Sequence, residues 1–282
     1  PLSKFKDDTD GIGFYEVVRD IEEHFEEKKA ELIQNLKQLS RQIFRVDNVM
    51  ISYTSSEDGL APMEAAFREI KDTLYPELDG EEIPCVLHGR KRNEGFKTSS
   101  KVQYVARVGN FIDHGAQYHG ALQILKVILS YDYLWQNVRV KGGAYGCMSN
   151  FNRIGEGYLI SYRDPNLKKT MEVYEGVVDY LKNFTVDERD MTKYIIGTIS
   201  NIDRPMNPAA KGDRSMNLYM NHVSQEMIRT ERSQILHAAQ EDIRALAAVV
   251  EAMLKAEQIC VIGSEEKIEE EKEMFLEVKT LF

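Results

Sequence analysis

The sequence is poor in the features that announce chemistry. Its three cysteines, Cys85, Cys147 and Cys260, stand far apart, and no two form a C-x-x-C pair. That argues against a disulfide framework and against a cysteine-built zinc site, and it suits a reducing compartment. No run approaches the roughly 18 apolar residues of a membrane span, and the start carries no signal-peptide pattern. Six histidines are present, but H-x-x-E-H and H-x-x-H are both missing. His114 and His119 are five apart, so they would not share a helix face as two ligands must. "DHGAQYH" therefore reads as a helix cap and a surface histidine. There is no G-x-S-x-G elbow, no phosphate-binding G-x-x-x-x-G-K-[ST] and no G-x-G-x-x-G. The formal charge of −10 gives the chain no reason to seek nucleic acid or anionic lipid. Its one basic cluster, "HGRKRNEGFK" (88–97), is broken by glutamate and glycine, and reads as a solvated loop or a contact for an acidic partner.

What is present is an ordinary globular composition, 43% apolar and 29% charged over 282 residues, enough for one large domain or two. Leu32, Leu36, Leu39 and Ile43 step at helical spacing and predict a helix over 26–44. "NVMISYTS" (48–55) reads as a strand, and Met63, Phe67, Ile70 and Leu74 mark a second helix. "PELDGEEIP" (76–84) holds two prolines and a glycine, so a boundary falls there. The pattern then restarts. Residues 101–111 read as a strand with Val102, Tyr104, Ala106 and Val108 on one face. A helix over about 117–135 is dense in leucine and isoleucine. Two strands, 144–151 and 156–163, are joined by a glycine-bearing turn. "DPN" (164–166) starts a helix with Asp164 as cap; it carries Leu167, Met171, Tyr174, Val178 and Leu181. Thr185 and Glu188 form a capping box for the next helix. Residues 240–255 form another helix, 258–263 a buried strand, and "SEEKIEEEKEMF" a closing helix. The expected fold is α+β, a mostly antiparallel sheet with helices layered on one face.

The residues that merit a functional reading lie in "RVKGGAYG" (139–146). Arg139 cannot give up its proton and would serve as a clamp. The Tyr145 hydroxyl can donate to a carbonyl oxygen, more strongly as that oxygen becomes an anion. Gly142 and Gly143 allow backbone to approach backbone. The four would suit gripping a peptide carbonyl. On residue types alone, a surface ion pair for Arg139 and a half-buried strand position for Tyr145 explain the same residues. Asn150 and Arg163 lie on the same or the adjacent strand.

"VRVKGGAYG", "GYLISYRDPN" (157–166) and "SNIDRPMNPAAKG" (200–212), in this order and spacing, resemble the C-terminal half of presequence-protease-type zinc metallopeptidases of the insulinase/pitrilysin group. The resemblance covers nearly the whole chain and is strongest over about 95–240. It implies an enzyme of two halves closing around a chamber for unfolded peptides. Zinc is held in the N-terminal half by H-x-x-E-H and a downstream glutamate. The metal-free C-terminal half contributes an arginine and a tyrosine to the substrate backbone, matching Arg139 and Tyr145. It further implies that residues 1–90 are the end of a third peptidase domain plus a linker, that 91–282 are the fourth, and that the chain alone is inactive. Its partners would be the N-terminal half of the same polypeptide and unstructured peptides, in a bacterial cytoplasm. A non-catalytic scaffold subunit of the same superfamily and an unrelated peptide-binding module are the competing readings.

Overall fold

The computed structural model describes residues 2–76 and 93–281. The elements in chain order are α1 Leu2–Asp10, α2 Ile12–Glu23, α3 Phe25–Ile43, α4 Leu60–Lys71, β1 Glu94–Thr98, β2 Gln103–Asn110, α5 Ala121–Ile128, β3 Gly146–Phe151, β4 Glu156–Asp164, α6 Lys168–Glu175, α7 Val177–Lys182, α8 Glu188–Ile202, α9 Pro208–Met220, α10 Gln225–Leu236, α11 Gln240–Leu254, β5 Gln258–Ser264, α12 Glu265–Glu270 and β6 Glu277–Thr280. They group into two compact units, Pro1–Arg90 with Met206–His222, and Lys91–Pro205 with Val223–Phe282. The expected linker at 76–84 lies, beyond Pro76, outside the described residues. No helix among the described residues is long and apolar enough to cross a membrane.

In the first unit α3 forms where the four-residue stripe predicts it. The strand expected over 48–55 is absent: residues 49–56 follow no regular element. Its alternation is genuine, but a strand needs a ladder partner for its N–H and C=O groups. Among the described residues of this unit the only bridge joins Arg45 to Tyr75.

The second unit is built on a six-stranded sheet of order β3-β4-β2-β5-β1-β6. β3, β4, β2 and β5 are antiparallel neighbours, and β1 runs parallel to both β5 and β6. Helices cover one face. Leu122, Leu125, Ile128 and Leu129, with Met171, Tyr174, Leu181, Ile243, Leu246, Val250 and Met253, pack there against Val105, Phe151, Leu159 and Val261 of the strands. The fold is thus the α+β arrangement read from the sequence, with β2-α5-β3-β4-α6-α7 as its central run.

Several elements differ from the sequence expectation. β1 occupies 94–98 and so takes up the end of the segment 88–97 read as a solvated loop or a contact for an acidic partner; residues 88–92 lie outside the described ones. Its Lys97 reaches Glu265 and Glu269, each at 3.3 Å. β2 forms, but it presents the opposite face to the helices: Gln103, Val105, Arg107 and Gly109 are buried while Tyr104 is exposed. The reason is that two buried positions are polar. Arg107 Nη2 reaches the Leu254 carbonyl at 2.9 Å and Glu175 at 3.0 Å, while its Nε stays buried without a partner among the described residues. Gly109 is there because a Cβ would stand 2.1 Å from the Met253 carbonyl oxygen of α11. The chain closes on a strand, β6, after a helix of six residues.

Candidate functional site

The helix expected over about 117–135 begins as α5 and does not stop at 135. It continues through two π-helical segments, Leu129–Tyr133 and Trp135–Val140, so Arg139 lies in the last turn of a long helix. Trp135 and Arg139, four residues apart on this helix, meet with the guanidinium carbon 3.9 Å from the indole centroid. A cation this close to a tryptophan face is held by the ring quadrupole and by planar stacking. Arg139 is half-buried.

The helix ends by folding back on itself. The Gly143 N–H donates to the Arg139 carbonyl at 2.8 Å, and the Ala144 N–H donates to that of Val138 at 3.2 Å. Gly143 has φ +82°, and a Cβ at Gly142 would lie 2.3 Å from the Val138 oxygen. Both positions require glycine, one for its conformation and one for the close approach. The consequence is a fixed, tight exit that delivers Tyr145 to the start of β3.

Tyr145 is 60% exposed. Its N–H donates to the Arg163 carbonyl at 3.3 Å. Its ring meets Tyr162 edge-on at 5.5 Å, and the Arg163 guanidinium carbon stands 5.6 Å from its centroid. Arg163 itself adopts φ +48°, an uncommon conformation for this residue type. The phenol is therefore fixed at its base and open at its tip. Arg139 and Tyr145 share no hydrogen bond. Cys147, two residues into β3, has its thiol pushed up to about 11 by burial, opposed by the Arg139 charge. It behaves as a packed thiol rather than a nucleophile.

A side-chain latch holds the hinge from the other side. Asn166 Nδ2 donates to the Gly142 carbonyl at 2.6 Å. The Asn166 N–H donates to Asp164 Oδ1 at 2.9 Å, and Thr170 Oγ1 donates to Asp164 Oδ2 at 2.7 Å. Asp164 is fully buried at the end of β4. It is not the helix cap expected, because α6 begins at Lys168 after Leu167. Its carboxylate instead ties "DPN" to the glycine hinge. Trp135, Tyr162 and Asn166 are the site residues that sequence reasoning passed over. The signal for Asn166 was the Asx-Pro-Asx turn, whose side chains seek nearby backbone.

His119 Nδ1 accepts the Ala121 N–H at 3.2 Å at the head of α5, and His114 is exposed, as "DHGAQYH" led one to expect. Among the described residues no three His, Cys, Asp or Glu side chains are placed to hold a metal ion.

The sequence model of the PreP C-terminal domain matches residues 93–265, a span that contains β2, the hinge, the latch and β5. The chain belongs to the PreP C-terminal domain family. It is 42% identical over 272 residues to Protein HypA of Clostridium perfringens, covering 96% of this chain and 28% of that protein. It is 29% identical over 273 residues to presequence protease 1, chloroplastic/mitochondrial, of Arabidopsis thaliana, covering 95% of this chain and 25% of that one. A solved peptidase M16 inactive domain from Pseudomonas fluorescens aligns at 16% identity and TM-score 0.48, over 72% of this chain and 50% of that one. The chain thus spans about a quarter of the length of the curated relatives named here. The resemblance to presequence-protease-type C-terminal halves is borne out. In this PreP C-terminal domain the glycine hinge is a rigid, latched turn.

Proposed function

We propose that this chain is the substrate-gripping, metal-free half of a zinc-dependent peptidase acting on unfolded peptides. Tyr145 donates to the carbonyl oxygen at or beside the cut bond, and Arg139 anchors a neighbouring carbonyl. The observation that carries this reading is the presentation of Tyr145. Its backbone is pinned to β4 and its exit is latched through Gly142, yet its phenol is 60% exposed. A donor fixed before the reaction costs little reorganisation when negative charge grows on the oxygen it faces. Arg139, held by Trp135, keeps donors for a peptide carbonyl while its plane stays stacked. Gly142 and Gly143 leave the hinge without side chains, so that an extended backbone can come close.

Zinc belongs, on this reading, to a part of the longer polypeptide that carries H-x-x-E-H; the residues described here act on substrate backbone alone. The chain by itself would bind peptide without cutting it. Its net charge of −10 favours encounter with basic peptides by long-range attraction. A bacterial setting is part of this reading, in keeping with the Clostridium perfringens relative.

Tyr145→Phe in the longer polypeptide tests the assignment. Loss of one such donor costs about 2.7–4 kcal/mol of transition-state stabilisation, so turnover should fall by a factor on the order of 10²–10³ with KM little changed. Near wild-type turnover would remove Tyr145 from the chemistry and favour a scaffold role.

A further inference from the structure

We propose that Lys126 and Arg204 form a carboxylate site for the bound peptide, at the opposite end of β3 from Tyr145. The proposal rests on the peptide-binding reading above and adds a second anchoring point to it. A cleft of about 350 Å³ lies between α5 and α8, lined by Gln123, Lys126, Ser130, Tyr131, Asn201 and Arg204 among others. Lys126 Nζ donates to Asn150 Oδ1 at 3.1 Å, and Arg204 Nη2 donates to Asn201 Oδ1 at 2.9 Å. Both partners are neutral amides. Among the described residues neither cation forms an ion pair.

The nearby carboxylates are already engaged. Asp132 accepts the Tyr194 hydroxyl, and Asp203 pairs with Arg232 at 2.6 Å. Two positive charges thus line one cleft with amide partners and no ion pair among the described residues, in a chain whose net charge is −10. The hydroxyls of Ser130 and Tyr131 offer further hydrogen-bonding groups around them. This is the composition of a small anion site, with spare donors on the arginine for a forked contact.

Its position selects the anion. Asn150, which holds Lys126, lies on β3 five residues beyond Tyr145. At about 3.3 Å per residue the two are about 16 Å apart along the strand. β3 ends the sheet, and an edge strand is a template for an extended chain. A peptide whose backbone is gripped at Tyr145 and follows β3 for about five residues brings a carboxylate to Lys126 and Arg204. A basic peptide, which the acidic surface favours, always carries one such group: its C-terminal carboxylate. An acidic side chain at the same distance supplies the same chemistry.

The test is fluorescence-anisotropy binding of three labelled basic peptides of one length: a free C-terminal acid, its amide, and an amide with glutamate as last residue. The wild-type chain should bind the free acid about tenfold more tightly than the amide. Glutamate should restore the affinity if side-chain carboxylates also serve, and should not if the site reads the terminus alone. Lys126→Gln with Arg204→Gln should erase the preference while leaving amide binding intact, which also reports that the variant is folded. Tyr145→Phe should keep the preference. Equal binding of acid and amide by wild type, or a preference that survives the double variant, overturns the proposal. A failure of Tyr145→Phe to lower turnover would instead overturn the peptidase role and leave the carboxylate preference standing.

Discussion

The two units carry the same kind of helix and treat it differently. α3 has its stripe of Leu32, Leu36, Leu39 and Ile43, and α5 has Leu122, Leu125 and Ile128. In the second unit those three side chains are fully buried. In the first, α2, α3 and α4 bury no residue, and Leu36, Leu39 and Ile43 remain 55%, 47% and 46% exposed. Helical periodicity states which face wants covering. It does not state whether the chain itself supplies the cover. Apolar stripes of this extent usually mark a contact surface. On the function proposed above, the rest of the longer polypeptide provides it.

The largest expected effect tests that contrast directly. Leu125→Ala should destabilise the second unit by about 2–5 kcal/mol, since a fully enclosed leucine leaves both a transfer and a cavity cost. Leu36→Ala should cost much less, about 0.5 kcal/mol in this chain, because more than half of the side chain is already in water. Chemical denaturation of the two variants measures both. Similar costs would show that the stripe of α3 is covered in solution and would end the comparison. A cost that rises for Leu36→Ala only in the longer polypeptide would sharpen it.

A smaller effect compares two bonds of one type. Asn48 Nδ2 donates to the Ile43 carbonyl at 3.0 Å on the exposed end of α3. Asn166 Nδ2 donates to the Gly142 carbonyl at 2.6 Å in a part-buried setting. Asn166→Ala should cost about 1–2 kcal/mol, because it leaves the hinge carbonyl without its partner where water is restricted. Asn48→Ala should cost only a few tenths, since water replaces the amide. Equal costs, measured by denaturation, would mean that the latch is as wet as the first unit's surface.

Most of the second unit's elements were legible because their burial and their spacing agree. The β3–β4 hairpin, α11 and β5 show this, as does the stripe of α5. The failures share one physical cause: the fate of a segment was decided by what packs against it. Val102, Tyr104, Ala106 and Val108 share one face, as read, but Arg107 reaches the Leu254 carbonyl and Gly109 admits α11, so it is the other face that turned inward. Residues 48–55 have strand character and no partner. Residues 94–98, though charged, gained strands on both sides. Arg139 and Tyr145 stood out by residue type. Asn166 did not, because its carbonyl latch joins positions 24 residues apart; Trp135 did not, although it stands only four residues from Arg139, at helical spacing.

The smallest effect is one for which the contrast should disappear. Asp187 accepts the Asp190 N–H at 2.8 Å and caps α8 in the second unit; Asn207 accepts the Ala210 N–H at 2.8 Å and caps α9 in the first. A cap satisfies an orphan donor within its own first turn, so its worth does not depend on a core. Asp187→Ala and Asn207→Ala should each cost about 1 kcal/mol. Hydrogen exchange of the first-turn amides in α8 and α9 is the measurement. Thr185→Ala should cost almost nothing, because Thr185 Oγ1 bonds the Asn183 carbonyl and not the helix. If the two caps differ as widely as Leu125 and Leu36 should, the units differ in local order as well as in burial, and the missing cover is only part of the difference between them.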